Sequence, residues 1–208
     1  MTPASGPIES FAGMRVTVVG LGRFGGGVGA ARWLASQGAR VTVTDSASEE
    51  SLAVSIAQLE GLDITLHLGG HDEADFTETD LLVVNPAVPK TMPLLAQALA
   101  AGVPTTTEIN LFIERCCAPI IGVTGSVGKS TTVAMIGHIA QHHRTTHVGG
   151  NIGKSLLAEL DTIEPDHLVV LELSSFQLED LPIIAKGPHV AVVTNLMPNH
   201  LDRHGTMA

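Results

Sequence analysis

The fold of this chain is decided by one stretch, PIIGVTGSVGKSTT, which runs from Pro119 to Thr132. Its first residues are apolar and β-branched, which favours a strand, and Gly125 and Gly128 then mark a turn. From Lys129 onward the pattern favours a helix that continues to about Gln141. A strand, a glycine-rich loop and a helix in this order predict one unit of a parallel α/β sheet.

The glycine-rich loop contains the residue types that bind phosphate. Glycines let backbone N–H groups converge on phosphate oxygens, Lys129 can reach the terminal phosphates, and the Ser130 hydroxyl is placed to ligate Mg²⁺. The common pattern G-x-x-x-x-G-K-[ST] has its first glycine at position 123, where this chain has Val123. The loop is therefore a variant nucleotide loop, and it predicts ATP and Mg²⁺ as cofactors.

Composition restricts the class of protein. The chain has 208 residues, of which 44% are hydrophobic and 15% charged, a mix that is common in α/β proteins with tightly packed βα units. A net charge of −10 argues against nucleic acid as a general partner. No apolar run approaches the length of a membrane span, and the adjacent Cys116 and Cys117 offer neither an unstrained disulfide nor a metal pattern. We expect a soluble, cytoplasmic protein with no membrane partner.

Two successive βα units are predicted, the first a Rossmann-like domain at 1–107 and the second a P-loop ATPase α/β domain at 108–208. The predicted strands are 15–19, 41–44, 64–66, 81–85 and 103–106 in the first unit, and 120–123, 168–173 and 190–195 in the second. The last two runs are strongly apolar, which predicts central strands covered on both faces. Because the chain stops just after a predicted strand, we expect the second domain to be incomplete.

A second glycine-rich turn follows the first predicted strand. It reads Gly20-Leu21-Gly22-Arg23-Phe24-Gly25, and Asp45 ends the next strand 20 residues beyond Gly25. Taken alone, this fingerprint predicts NAD. A glycine turn at a helix N-terminus accepts any diphosphate, however, so diphosphate binding is better supported than nicotinamide binding. A purely structural βα turn remains an alternative.

Three further segments carry candidate site residues. Glu172 ends a strongly apolar strand, where it can supply the carboxylate that a nucleotide-bound metal needs. The turn at 149–153 can bring backbone and the Asn151 amide close to a ligand, although it is equally a loop. His200 and His204 suggest a metal pair, but no third ligand supports zinc, which favours loop-capping or phosphate-adjacent roles.

Four segments together resemble the Mur ligases, and the match runs from the Gly20 turn to the end of the chain. The segments are 123–131, 149–153, 171–179 and 195–204, of which the second and third discriminate best among members that add different amino acids. The resemblance implies an N-terminal domain for a UDP-sugar, a central ATPase domain and a C-terminal domain that closes over both.

The resemblance also implies a reaction of peptidoglycan precursor synthesis. ATP phosphorylates the terminal carboxylate of UDP-N-acetylmuramoyl-L-alanine, the amine of D-glutamate attacks the acyl phosphate, and ADP and phosphate leave. The family's C-terminal domain and a carbamylated lysine fall beyond Ala208. We therefore expect these 208 residues to be inactive alone but to bind the UDP-sugar.

The resemblance assigns roles to individual residues. Those assigned to ATP are Gly125, Ser126, Val127, Gly128, Lys129, Ser130 and Thr131. Ser130 and Glu172 are assigned to one Mg²⁺ and His200 to a second metal, and the catalytic residues are Lys129, Glu172 and His200. Those assigned to the UDP-substrate are Leu21, Gly22, Arg23, Phe24, Gly25, Asp45, Ser46, Asn85, Pro86, Ala87 and Asn151.

The chain departs from the family pattern in three segments. Val127 replaces an Asn inside the phosphate loop, and Asn199 replaces an Asp before His200. Asn85-Pro86-Ala87 replaces a Ser-Pro-Gly, and the Cβ of Ala87 is expected at a position of positive φ. Lys129, Ser130 and Glu172 are retained.

Two other enzyme classes and a non-catalytic role stay open. An NAD(P)-dependent oxidoreductase explains the Gly20 turn but leaves the phosphate loop unexplained. A P-loop kinase or GTPase-like protein explains the phosphate loop, but no base-specifying GTPase motif is seen and the Gly149 turn has no role. The chain as given could also serve only as a binding module.

Overall fold

The computed structural model describes residues 8–22, 25–151 and 154–206, so the predicted contacts of Arg23 and Phe24 lie outside the described residues. The strands are β1 Arg15–Val19, β2 Arg40–Asp45, β3 Ile64–Leu68, β4 Leu81–Val84, β5 Thr105–Thr106, β6 Ile120–Thr124, β7 Thr146–Gly150, β8 Leu168–Glu172 and β9 Val190–Val193. The α-helices are α1 Gly26–Ser36, α2 Glu49–Ala57, α3 Ala74–Thr77, α4 Pro93–Ala100, α5 Glu108–Arg115, α6 Lys129–Ala140, α7 Ser175–Leu178 and α8 Leu201–His204. Short 3₁₀ helices span Leu157–Thr162 and Leu181–Ile184.

The first sheet has five strands in the order β3-β2-β1-β4-β5, and every pair is parallel. The chain moves outward from β1 through β2 to β3 and then returns to the other side of β1 with β4. This reversal opens a crevice at the carboxyl ends of β1 and β4, which is where open α/β sheets bind ligands. Gly20 follows β1 and Asn85 follows β4 at that edge.

The second sheet has four parallel strands in the order β7-β8-β6-β9. The phosphate loop follows β6 between its neighbours β8 and β9. Asn151 follows β7, Glu172 ends β8, and Asn195 lies just beyond β9. The carboxyl edge of this sheet therefore brings three chemically distinct segments to the loop.

One hydrophobic core joins the two sheets. It includes Val18 and Val43 from the first sheet and Leu171 from the second. Helix α5 lies in this core with all of residues 109–113 buried, and Phe112 is among the largest fully buried side chains. Each such buried Phe or Leu side chain contributes about 1.5–3 kcal/mol, so α5 strongly stabilises the junction between the sheets.

The predicted α/β class and parallel sheets are confirmed, but the prediction for the last apolar run is wrong. Strand β9 lies at the edge of its sheet, and Val190 and Val193 are 52% and 64% exposed. A short apolar run has the same sequence pattern at an exposed edge and in a covered centre, so the pattern cannot distinguish them. Within the described ranges, no helix is long and apolar enough to cross a bilayer.

Candidate functional site

The phosphate loop depends on two glycines for its backbone path. Gly125 has a φ of 132°, and a Cβ at this position would lie 2.2 Å from Thr194 Oγ1. Gly128 has a φ of 84° and is the residue from which α6 begins. Both conformations strongly favour glycine, so they let the loop turn directly into the N-terminus of α6.

The segment that follows β9 holds the loop from the side. Asn195 Oδ1 accepts a hydrogen bond from Val127 N at 3.0 Å, and Asn195 Nδ2 donates to Val127 O at 2.9 Å. Thr194 Oγ1 donates to the same carbonyl at 2.7 Å. Ser126 Oγ donates to Met197 O and accepts from Met197 N, both at 2.9 Å. Sequence reasoning did not identify this role of Asn195. The signal that the sequence offered was a polar residue close to the end of a predicted strand.

Lys129 lies over the loop. Its Nζ donates to Gly125 O at 2.7 Å and, at the longer distance of 3.4 Å, to Ser126 O. Ser130 and Thr131, the next residues of α6, are exposed. The ammonium group and the first turn of the helix therefore lie together beside the glycine-rich backbone.

Glu172 is the most buried of the predicted site carboxylates, with 2% of its surface exposed. Its Oε1 accepts from Asn151 Nδ2 at 3.0 Å, and its backbone oxygen accepts from Asn151 N at 2.8 Å. Its Oε2 is buried and has no hydrogen-bond partner among the described residues. A buried acceptor without a partner is costly, and a carboxylate oxygen suits Mg²⁺, so this atom fits a metal ligand.

His200 has a left-handed backbone, with a φ of 51°, and its ring centroid lies 4.8 Å from that of Phe176. Its backbone N–H donates to Asn199 Oδ1 at 3.0 Å, so the Asn199 side chain helps to order this turn. His204 Nε2 lies 2.9 Å from Ser175 Oγ. These contacts fix α8 against α7.

Arg203 connects the two sheets beside this ring. Its guanidinium donates to Pro86 O at 2.7 Å and to Glu179 Oε2 at 3.1 Å, and it lies 4.4 Å from the centroid of Phe176. Although burial raises the pKa of Glu179, hydrogen bonds from Arg203 and Lys90 outweigh it and hold that pKa below its ordinary value. Glu179 is therefore a stable anionic anchor for both cations.

The phosphate loop and the histidine segment surround a cavity of about 440 Å³, which we term the loop cavity, whereas Ser130, Glu172 and Arg203 do not line it. It is lined by Gly125, Ser126, Lys129, Asn151, Phe176 and His200, among others. The structure thus brings together the predicted phosphate loop, the predicted substrate contact Asn151 and the predicted metal ligand His200.

A second cavity of about 520 Å³, which we term the crevice cavity, lies between the sheets. It is lined from the first sheet by Gly22, Asn85, Pro86 and Ala87, and from the second by Ser174 and Gln177. Asn151, Ser174 and Phe176 line both cavities, so the two adjoin. A larger cavity of about 710 Å³ lies at the opposite, amino-terminal ends of β1 and β2, away from the edge where such sheets bind ligands.

The remaining predicted substrate contacts take several positions. Leu21 is fully buried, which leaves only its backbone for a ligand, and Ser46 is exposed. Asp45 Oδ2 accepts from Gly22 N at 3.1 Å, and its Oδ1 accepts from Ala47 N at 2.8 Å. The carboxylate therefore braces the glycine turn. Gly25 has a φ of 87° and precedes α1.

The expectation of positive φ at Ala87 is wrong. Among described non-glycine residues only Ala185 and His200 have positive φ. The Asn85 side chain shapes this segment instead, because its Oδ1 accepts from Ala87 N at 3.0 Å and its Nδ2 donates to Gly20 O at 3.3 Å. Alanine therefore fits this turn without backbone strain.

Family comparisons match most of the chain. The family described as "Mur ligase MurD-like, N-terminal domain" matches residues 14–107, and "Mur ligase middle domain" matches residues 123–208. A relative from Roseiflexus sp. (strain RS-1), named UDP-N-acetylmuramoylalanine--D-glutamate ligase, is 46% identical over 94% of this chain and 42% of its own length. A relative of the same name from Anaeromyxobacter dehalogenans is 47% identical over 92% of this chain and 41% of its own length. The chain thus spans about two fifths of these relatives.

Solved structures share the fold at lower identity. The UDP-N-acetylmuramate:L-alanyl-gamma-D-glutamyl-meso-diaminopimelate ligase from Neisseria meningitides matches with a TM-score of 0.60 and 21% identity, over 92% of this chain and 63% of that chain. A murein peptide ligase from Psychrobacter arcticus matches with a TM-score of 0.50 and 19% identity, over 91% of this chain and 44% of that chain. At these identities the likeness concerns the fold alone.

Proposed function

This chain belongs to the Mur ligase family, and from that premise we propose that it supplies the UDP-substrate and ATP sites of a ligase. The ligase joins D-glutamate to UDP-N-acetylmuramoyl-L-alanine at the cost of ATP. The observation that carries this proposal is the junction of the loop and crevice cavities at Asn151, Ser174 and Phe176. Two adjoining cavities suit a reaction that transfers a phosphoryl group from a nucleotide to a separate substrate.

The ATP site is proposed in the loop cavity. Backbone amides of the phosphate loop and the N-terminus of α6 point toward the nucleotide's phosphates, and Lys129 exchanges its carbonyl contacts for phosphate oxygens. Catalysis then rests on positioning and on charge stabilisation of the transferring phosphoryl group. Gly125 to Thr131 provide these contacts.

Glu172 and Ser130 are proposed to hold one Mg²⁺, and His200 is proposed to help hold a second metal. The support is the unpartnered, buried Oε2 of Glu172, together with the fixed orientation that Asn151 gives to the other carboxylate oxygen. When bound, the ion neutralises charge on the phosphates. Asn151 then keeps the carboxylate directed at the metal.

The UDP-substrate is proposed in the crevice cavity, within a Rossmann-like domain at 1–107. Gly26 and Gly27, the first residues of α1, line this cavity and offer a helix N-terminus to a diphosphate. From there the substrate extends to the shared wall at Asn151, which brings its terminal carboxylate to the loop cavity. Because both ATP and UDP-activated sugars are cytoplasmic metabolites, we also propose a cytoplasmic location.

The test is a calorimetric titration of UDP-N-acetylmuramoyl-L-alanine into the chain, with NADH as the competing candidate. The proposal predicts one-to-one binding of the UDP-substrate and no displacement by NADH. Displacement by NADH at comparable concentration would favour an oxidoreductase, and failure of a folded sample to bind the UDP-substrate would reject the proposal. Competition of ATP against GTP distinguishes the GTPase-like alternative.

A further inference from the structure

Glu108 is the only ionisable side chain among the described residues that line the crevice cavity. The other lining residues are glycine, apolar, hydroxyl or amide residues. Glu108 is the first residue of α5, the helix buried at the junction of the two sheets. An acidic group therefore lies in the cavity that we assign to an anionic substrate.

Glu108 has one side-chain hydrogen-bond partner, and no cationic side chain among the described lining residues compensates its charge; only the N-terminal end of α5 favours its anion. Ser155 Oγ donates to Glu108 Oε1 and also accepts from Leu157 N at 3.3 Å. Helix α1 packs against this pair so closely that a Cβ on Gly29 would lie 2.3 Å from Ser155 Cβ. From α1, α5, β4, the 3₁₀ helices Leu157–Thr162 and Leu181–Ile184, and the loops after β4, β7 and β8, no Asp, Glu, Lys, Arg or His other than Glu108 lines the cavity within the described ranges.

This setting favours the neutral carboxyl group. Although Glu108 as a residue is only half-buried, desolvation of its carboxyl group raises the pKa of Glu108 to about 7, while the hydrogen bond from Ser155 acts in the opposite direction. A diphosphate placed at the N-terminus of α1 would add negative charge to the same cavity and disfavour the ionised form further. A protonated carboxyl group avoids this repulsion and can donate a hydrogen bond to an anionic or carbonyl oxygen.

We propose that Glu108 takes up a proton as the UDP-substrate enters the crevice cavity and then donates a hydrogen bond to it. The inference rests on the proposed function, and it makes Glu108 a substrate-binding residue that couples affinity to pH. It requires no other residue to titrate, because the diphosphate diester of a UDP-sugar does not change charge near neutral pH.

The direction and size of the effect follow from linkage. The complex binds more protons than the free protein, so affinity falls as pH rises above the pKa of free Glu108. With that pKa at about 7, binding takes up about half a proton at pH 7 and close to one at pH 8. Affinity then decreases by up to about tenfold per pH unit above 7.

The experiment is calorimetry of UDP-N-acetylmuramoyl-L-alanine binding to the 208-residue chain at pH 7.5 in phosphate and in Tris. Because these buffers differ in ionisation enthalpy, the difference in observed heat gives the number of protons taken up. Glu108→Gln keeps an acceptor for Ser155 but removes the titration, so uptake is expected to vanish and affinity to become independent of pH. Glu114→Gln changes a carboxylate on the same helix outside the crevice cavity, and is expected to retain full uptake.

Each outcome decides the inference. Uptake by the parent chain and by Glu114→Gln, with none by Glu108→Gln, supports it. Binding without uptake, or uptake that persists in Glu108→Gln, overturns it and leaves the proposed function intact. Absence of binding by the folded parent chain overturns the proposed function as well.

A second variant decides the case if Glu108→Gln does not fold, as judged by circular dichroism. Ser155→Ala removes the hydrogen bond that lowers the Glu108 pKa. The pH above which affinity falls should therefore move upward. No movement of that midpoint in a folded Ser155→Ala sample would overturn the inference.

Discussion

The side-chain amide of Asn195 forms hydrogen bonds with both backbone groups of Val127, accepting from its nitrogen at 3.0 Å and donating to its oxygen at 2.9 Å. The contact connects the end of β9 to the centre of the phosphate loop. The loop is thus held by an amide from outside it, and its shape depends on a residue 68 positions away.

Asn195→Ala should weaken Mg²⁺-ATP binding. The variant removes both hydrogen bonds to Val127, each worth about 0.5–1.5 kcal/mol, so we expect a loss of roughly tenfold in affinity. A calorimetric titration with Mg²⁺-ATP measures this loss of affinity. The affinity for the UDP-substrate should change little, since Asn195 does not line the crevice cavity. Unaltered ATP affinity would show that the loop keeps its shape without this amide.

Gly125→Ala should destabilise the fold and abolish nucleotide binding. The added Cβ meets Thr194 Oγ1 at 2.2 Å, and the φ of 132° is strained for any L side chain. Backbone strain alone costs about 1–3 kcal/mol, before the overlap is relieved. Thermal unfolding measures the change, with Gly187→Ala as the control, because its Cβ would meet nothing within 4 Å. Equal unfolding temperatures for the two variants would refute the predicted strain.

Glu172→Gln should remove the dependence of ATP affinity on Mg²⁺ while the fold persists. The amide retains the size of the carboxylate but lacks the charge and the second acceptor oxygen that suit a divalent cation. We expect the Mg²⁺-dependent gain in ATP affinity to fall by at least about tenfold, or about 1.4 kcal/mol. A variant that responds to Mg²⁺ like the parent would exclude Glu172 as a ligand.

Glu108→Gln should stabilise the folded chain at alkaline pH. The pKa of this carboxyl group is raised from 4.5 to about 7, so the folded state binds more protons than the unfolded state between these values. The free energy of unfolding of the parent therefore declines as pH rises through this window. Because one pKa unit corresponds to about 1.36 kcal/mol, the decline is up to about 3 kcal/mol. Urea unfolding of both proteins at pH 4 and pH 8 measures the difference. The variant should be more stable than the parent at pH 8 and equally stable at pH 4. A variant less stable than the parent at pH 8 would contradict the raised pKa of Glu108.

The parts of the site that could be predicted are local in sequence. Gly125 follows a strand and Lys129 begins a helix, each with an explicit pattern, and the β-branched run before Asp45 predicts that this residue ends a strand. The position of Asn195 depends on β9 pairing with β6, a contact between distant segments that a single sequence does not specify. The burial of Glu108 likewise depends on how two sheets pack around α5.

The sequence also did not distinguish a strand at the edge of a sheet from one at its centre. The run at 190–193 is as apolar as a central strand, yet β9 is exposed because nothing in the described chain covers its outer side. Ala87 was expected to be strained on the basis of a family glycine, whereas the Asn85 side chain supports a turn of ordinary φ there. Both differences arise from neighbours that are set by tertiary structure.

The most direct test of the central claim is simultaneous binding in the two adjoining cavities. UDP-N-acetylmuramoyl-L-alanine is titrated into the chain already saturated with Mg²⁺ and a non-hydrolysable ATP analogue, and the order of addition is then reversed. Separate cavities predict one-to-one binding of both ligands in either order, with the same coupling factor each way. Displacement of one ligand by the other, or failure of either to bind the folded chain, would contradict the account.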